Sequence, residues 1–315
     1  MAQAQHQPDF QVFKNFKFTD IALFKNDKQA GIDWCRQYGL LATMMICPNC
    51  YNNNPCREQN YARSTDGKIW RCNQCNKTVS IRKNSFFDKS RLHLWQLIGL
   101  VYEWCHNCGR ARGPSVEKLM RELEIGGQHT IVDWNQYCRD VCVEYFTRHA
   151  DQIGGPGAIV EIDESLFARR KNNVGHQVPE KWILGGYEPA TKKGFLVQVN
   201  DRSAATMLPI IQQWVAPGST IWTDMWAAYN SLGNMGYNHG TVNHTLYFTD
   251  PQTHVTTNRV EAMWSRAKAK FKSMHGPTNR DTIGDYLAEF MLTQRFVDAP
   301  FYNFFHQVAT ELYIV

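Results

Sequence analysis

The 315-residue chain has no run of 18 uninterrupted apolar residues, which excludes a membrane-spanning helix of the usual kind. Its opening MAQAQHQPDF is polar and lacks the apolar core of a secretory leader. No internal repeat and no long low-complexity tract is present, so a globular chain is expected rather than an array or a disordered tail. Neither sign of charge dominates. The balance of 34 basic to 29 acidic residues leaves a net charge of +5, which permits a nucleic-acid partner without demanding one. With no secretory route evident, the ten cysteines are expected as metal ligands or reduced core residues rather than disulfides.

Apolar residues make up 43% of the chain and aromatic residues 13%, enough for substantial cores, and the length suggests two or three units. The basic residues gather at 63–91, at Arg169–Lys171 and between Arg259 and Lys272. Turn and periodicity signals divide the chain into five parts. These are a helical segment at 1–45, a cysteine-punctuated ribbon at 46–84, a helical region at 85–153, an α/β region at 154–290 opened by the turn GGPG, and a helical tail at 291–315.

Within the fourth part, AIVEID (158–163), KWILGGYE (181–188) and GFLVQVND (194–201) read as three strands. A helix at 203–215, the strand TIWTD, a short helix near 227–232, a strand around GTVNH and a long helix at 258–272 follow. Three strands, helix, strand, helix, strand, helix is the element order of an RNase H-like mixed sheet, in which the first and fourth strands lie side by side. Two of those strands end in aspartate, Asp163 and Asp224, and the long helix carries Glu261. Three carboxylates delivered by separate rigid elements suit two-metal phosphoryl transfer with Mg²⁺ or Mn²⁺, since hard cations take oxygen ligands.

On the long helix, Val260, Trp264, Ala267 and Phe271 form the expected buried stripe, with Glu261, Ser265, Lys268 and Lys272 on an adjacent face. Two neighbouring acids compete for the role. Glu161 shares a strand face with Asp163, whereas Glu164 points the other way. His239 and His244 are expected to be structural, and Trp222, Trp226 and Trp264 to pack in the core. At Arg169, Arg170 and Lys171, phosphate contact and a solvated loop both fit.

Cys47-Pro-Asn-Cys50 and Cys72-Asn-Gln-Cys75 are two C-x-x-C knuckles, separated as in a four-cysteine zinc ribbon and predicting a structural Zn²⁺ site. Cys56 is an alternate ligand or a free surface thiol. Cys105 and Cys108 share the spacing without a second pair, and Cys35, Cys138 and Cys142 are expected in cores. Between the knuckles and the α/β region, SVEKLMREL with a serine cap is followed by EIGG and a second helix from about 128 to 147. This is a candidate helix-turn-helix, with Gln128, His129 and Asn135 near the start of a recognition helix, although a plain helical hairpin shares the pattern.

CPNC with DGKIWRCNQC, SIRKNSFF, VEIDESLFARRK, WILGGYE, DRSAATMLPII, TDMWAAY, GYNHGTVNH and TNRVEAMWSRAK occur in this order over about residues 45 to 275. In these segments the chain resembles the Merlin family of cut-and-paste DNA transposases and its bacterial insertion-sequence relatives. The resemblance implies an RNase H-like catalytic domain, an N-terminal zinc-binding segment, and recognition of terminal inverted repeats and target DNA by a homodimer or higher oligomer. It places the family's acids on Asp163, Asp224 and Glu261. Asn258, one helical turn before Glu261, corresponds to the asparagine that some bacterial relatives use near the third position. Arg169, Arg170, Lys268 and Lys272 would then contact DNA. The Merlin likeness implies the nucleus, with the cytoplasm as the counterpart in a bacterial host.

Overall fold

The structure is a computed structural model that describes residues 15–50, 55–107, 113–149, 151–168, 180–273, 282–297 and 299–313. The chain divides into two compact units. One comprises residues 1–107, 114–141 and 298–315, the other 108–113 and 142–297. None of the described helices is long and apolar enough to cross a membrane.

In the first unit, helices α1 (Ile21–Asn26) and α2 (Lys28–Gln37) are separated by Asp27, whose carboxylate accepts the Gln29 and Ala30 N–H groups at 2.8 and 3.2 Å. Strands β1 (Arg57–Asn60), β2 (Lys68–Arg71) and β3 (Thr78–Ser80) form an antiparallel sheet between and after the cysteine knuckles. Arg82 then makes a buried ion pair with Asp66, its Nε donating at 2.7 Å, and its Nη1 donates to the carbonyls of Ser90 and Leu92 at 3.3 and 2.7 Å. Those carbonyls are thereby committed, and helix α3 starts at Leu94 (Leu94–Asn107), although the apolar pattern begins near residue 90.

Helix α4 (Val116–Glu122) is capped by Ser115 Oγ, which accepts from Lys118 N at 3.2 Å. Its apolar side buries Leu119 and, just beyond, Leu123 and Ile125. Helix α5 (Gln128–Arg148) follows, and the division between the units falls inside it, between Val141 and Cys142. The helix Pro300–Gln307 supplies Phe301, Phe304 and Phe305 to an aromatic core shared with Phe16, Trp34, Phe86 and Phe87.

The second unit is built on a five-stranded mixed sheet. The short strand β4 (Ile153–Gly154) precedes β5 (Ile159–Ala168), β6 (Lys181–Glu188) and β7 (Lys193–Val199). Helix α6 (Ala204–Trp214), the short strand β8 (Val215–Ala216), β9 (Thr220–Asp224), β10 (Asn238–Val242), α7 (Asn258–Ser273) and α8 (Ile283–Arg295) complete it. The strand order is β10-β9-β5-β6-β7, parallel across β10-β9-β5 and antiparallel across β5-β6-β7. The first and fourth long strands are therefore neighbours, as the element order predicts. β5 runs past Asp163 to Ala168 because β6 continues to pair with it. The GGPG turn is tied down by Glu188 Oε2, which accepts from Gly154 N at 3.1 Å, and by Ser219 Oγ, which accepts from Gly155 N at 2.8 Å.

The adjacent glycines of WILGGYE show how the layers stack. Neighbouring strand residues face opposite sides of a sheet. A Cβ at Gly185 would lie 2.5 Å from the Trp264 ring of α7. Gly186 pairs with Phe195, whose ring stacks on Trp214 of α6 with centroids 5.6 Å apart. Helices α7 and α6 thus cover opposite faces, and Gly185 is small because the indole must reach the backbone. Val160, Ile162, Ile183, Leu184, Phe195 and Ile221, all fully buried, form the centre of this core.

Candidate functional site

Two clusters of candidate ligand residues stand out, one in each unit. In the first unit the Sγ atoms of Cys47, Cys50, Cys72 and Cys75 all lie within 4.8 Å of one another. The Cys47–Cys75 and Cys50–Cys72 sulfurs are 3.7 and 3.8 Å apart. Four thiolates about 2.3 Å from a zinc ion stand roughly 3.8 Å apart at the corners of a regular tetrahedron, so the set fits Zn²⁺. Knuckle backbone amides point at the sulfurs, and Cys72 Sγ accepts from Gln74 N and Cys75 N at 3.4 and 3.5 Å. These bonds favour its thiolate and bring Cys72 down to about 6. Cys56 is buried beside the cluster, which corrects the expectation of a surface thiol. Its backbone N–H is bonded to Met45 O at 2.7 Å, which draws it inward next to Cys47.

In the second unit, strand register determines where the acids go. Glu161 pairs with Trp222 in the parallel β5–β9 ladder. Two residues on, strand parity therefore puts Asp163 and Asp224 on the same face, the one covered by α7, and the charge of Asp224 is felt at Asp163. The β5–β9 ladder stops at Glu161 and Trp222, while β5 stays paired to β6 as far as Ala168 and β9 to β10 as far as Asp224. The sheet thus forks between the two aspartates, at the point where strand order reverses. A crevice beyond the carboxyl ends of parallel strands is where open α/β sheets place ligands.

Burial, and then the charges of Asp224 and Glu261, push Asp163 up to about 6. Trp264 Nε1 donates to Asp163 Oδ2 at 3.1 Å and fixes its orientation. Asp224 Oδ1 accepts from Trp226 N at 2.9 Å. Glu261 lies in the first turn of α7, close to Thr257 Oγ1 (3.4 Å) and His244 Nε2 (3.8 Å). Thr257 and His244 are themselves joined at 2.7 Å. Among the described residues no lysine or arginine lies within salt-bridge distance of Asp163 or Asp224. The three carboxylates are electrostatically linked, but they do not form a group with all ligand atoms within 4.8 Å, as the cysteines do.

Glu161 shares the Asp163 face, but its carboxylate is already engaged. It is fully buried, and Oε2 accepts the α7 N–H groups of Arg259 and Val260 at 2.8 and 3.1 Å, with Arg259 Nη1 3.4 Å from Oε1. It is a helix cap supplied from another element. Glu164 faces the α6 side, next to Tyr229. Burial raises it to about 7, with the charges of Asp224 and Asp163 adding to the rise. Glu164 Oε1 and the Tyr229 hydroxyl are both buried without a hydrogen bond of good geometry.

The remaining candidates are distributed as follows. Asn258 is exposed at the start of α7, its N–H bonded to Thr256 Oγ1 at 3.2 Å. Lys268 is half-buried with Nζ 5.5 Å above the Phe167 ring, and Lys272 is exposed. Gln128 and His129 are exposed in the first turn of α5, and Asn135 is half-buried. Arg169, Arg170, Lys171 and Cys108 lie outside the described residues. Cys35, Cys105, Cys138 and Cys142 are buried, and Trp264 packs in the core. Trp226 does not. It is 42% exposed, because the backbone bond to Asp224 turns it out of the sheet and its ring lies against Arg202.

A mixed-sheet α/β domain with carboxylates near its fork, in a chain that also carries a four-cysteine cluster fit for Zn²⁺, defines the class. Residues 155–292 match the ISXO2-like transposase domain. An uncharacterized transposase-like protein of Haemophilus influenzae is 30% identical over 84 residues, which span 27% of this chain and 67% of that protein. The chain belongs to this ISXO2-like family within the DDE transposases.

Proposed function

We propose that the protein is a cut-and-paste DNA transposase of the Merlin type, with an RNase H-like catalytic domain in which Asp163, Asp224 and Glu261 hold Mg²⁺ or Mn²⁺. The observation that carries this reading is the register that sets Asp163 beside Asp224 on the face bearing the Glu261 helix. The donor set is all oxygen, and the rise of Asp163 to about 6 reflects first its burial and then the charges of Asp224 and Glu261. Divalent cations bound there would polarise the scissile phosphodiester and lower the pKa of the attacking water or 3′-hydroxyl.

The chain's own groups divide the remaining work. The Trp264 indole holds Asp163 in one rotamer, and Thr257 with His244 restrains Glu261. Lys268 and Lys272 extend from the same helix toward the DNA backbone. The four-cysteine ribbon and the α4–α5 pair, read as a helix-turn-helix with Gln128, His129 and Asn135 foremost, recognise the terminal inverted repeats. Cutting two ends together calls for a dimer or higher assembly on DNA.

The test is a strand-transfer assay with purified protein, Mg²⁺, a donor carrying the element's terminal repeats and a target plasmid. Joined products that disappear in Asp163→Asn, Asp224→Asn and Glu261→Gln, with DNA binding retained, are expected. Cleavage without joining would reassign the protein as a nuclease, and binding without cleavage as a transposase-derived DNA-binding factor.

A further inference from the structure

Arg202 occupies a position that the acid site does not explain. It follows β7 and directly precedes Ser203, the cap of α6. Its guanidinium carbon lies 4.0 Å from the Trp182 ring centroid and 4.8 Å from that of Trp226, so both indoles flank the cation. The backbone is held as well. Trp226 Nε1 donates to Arg202 O at 3.2 Å, and the preceding Asp201 Oδ1 accepts from Ser203 N and Thr206 Oγ1 at 2.8 and 2.9 Å. A free arginine side chain loses rotamer entropy when it is fixed on a ligand. Here the rings already hold it.

The guanidinium donors are uncommitted, since no hydrogen bond or ion pair from them to a described residue is present. The clamp stands beyond the carboxyl end of β9, on the α6 side of the sheet. Trp226 lies two residues beyond Asp224 and its backbone N–H donates to that carboxylate, and the Arg202 charge is felt at Glu164, which faces the same side. A buried structural arginine would spend its fork on protein acceptors, as Arg82 does on Asp66, Ser90 and Leu92. Arg202 keeps its fork for something else.

We propose that the Trp182–Arg202–Trp226 clamp is a binding site for one phosphate of a nucleic-acid strand, holding the backbone beyond the carboxyl end of β9, next to Asp224. A planar fork with parallel N–H groups matches the non-bridging oxygens of a phosphodiester. The Arg202 charge also offsets part of the repulsion that a DNA strand meets on approaching clustered carboxylates, among them Glu180, which accepts from Trp182 Nε1 at 3.2 Å. This inference rests on the transposase reading for the identity of the strand.

The test is phosphate-neutralisation scanning with the full-length, zinc-loaded protein. A DNA duplex carrying one element end is prepared as a series with a single uncharged methylphosphonate at each position in turn, and affinity is measured by fluorescence anisotropy. Wild-type protein is expected to lose about tenfold or more in affinity when a contacted phosphate is neutralised. In Arg202→Gln, which removes the charge and the guanidinium fork but keeps a polar side chain, one such position near the cleavage site falls silent, and the slope of log affinity against log salt drops by about one. Arg202→Lys restores the slope but not the full affinity, because a point charge lacks the fork. If every sensitive position stays sensitive in Arg202→Gln, the clamp is structural and the proposal is overturned, while strand transfer by wild-type protein still upholds the transposase reading. If wild-type protein binds no DNA, both fail.

Discussion

Glu161 gives the sharpest quantitative handle on this domain. One oxygen accepts two α7 amides, at 2.8 and 3.1 Å, from a position without solvent access. Replacing Glu161 with alanine leaves both N–H groups without an acceptor in a buried environment, at about 1–3 kcal/mol each, and removes the anion from the helix N-terminus. Relief of the cost of burying the charge offsets part of this loss, so the expected net destabilisation is about 3–5 kcal/mol. That is a large share of the roughly 5–15 kcal/mol available to a folded domain.

Glutamine behaves differently. Its carbonyl can sit where Oε2 sits and accept both amides, so Glu161→Gln loses mainly the charge and the approach of Arg259, about 1–2 kcal/mol. The assay is native-state hydrogen exchange at the amides of Arg259 and Val260, alongside denaturant unfolding of the second unit. Exchange at those two amides should accelerate by about two decades or more in the alanine variant, at 1.4 kcal/mol per decade. An alanine variant within about 0.5 kcal/mol of wild type, or a glutamine variant as damaging as alanine, would falsify the capping account.

Removing zinc should unfold the ribbon, because structural Zn²⁺ contributes on the order of 10 kcal/mol to small metal-stabilised modules. Metal analysis should find one zinc per chain held by these four cysteines, and Cys72→Ser should abolish it while leaving the second unit's unfolding transition in place. A pH prediction follows from Asp163 and Glu164, whose folded-state carboxyls are raised to about 6 and about 7. A carboxyl with a raised folded pKa binds more protons folded than unfolded, so cation-free protein should lose stability as pH rises from about 4 to 7. The difference in thermal midpoint between wild type and Asp163→Asn isolates the Asp163 part. That difference should widen in favour of the asparagine variant across the window and shrink when Mg²⁺ is added, and a difference independent of pH would refute the assignment.

What could be read from the sequence was the part that local pattern controls. The β-branched run ending in Asp224, the stripe Val260, Trp264, Ala267 and Phe271, and the paired C-x-x-C knuckles each carry their own periodicity or spacing, and the structure places them as expected, whereas the strand expected to end at Asp163 runs on to Ala168. The roles that escaped depend on partners far along the chain. Glu161 looked like a rival for Asp163 because strand parity gives its face but not the helix end 98 residues away that claims its carboxylate. Trp226 was assigned to the core on hydrophobicity alone, although the Arg202 cation that attracts its ring lies 24 positions earlier. The Gly185 signal was present in the sequence as a glycine pair inside an apolar strand, which marks a close approach, but only the fold shows that the indole of Trp264 is what approaches.

The fork between β5 and β9 has a mechanical consequence. Asp163 rides on the leaf made of β5, β6 and β7, and Asp224 on the leaf made of β9 and β10, with no ladder bond between the leaves beyond Glu161 and Trp222. The gap between the two aspartates is therefore a soft coordinate in an otherwise close-packed domain. A change in the spacing of the two acids would break no ladder bond between the leaves, since none joins them beyond Glu161 and Trp222.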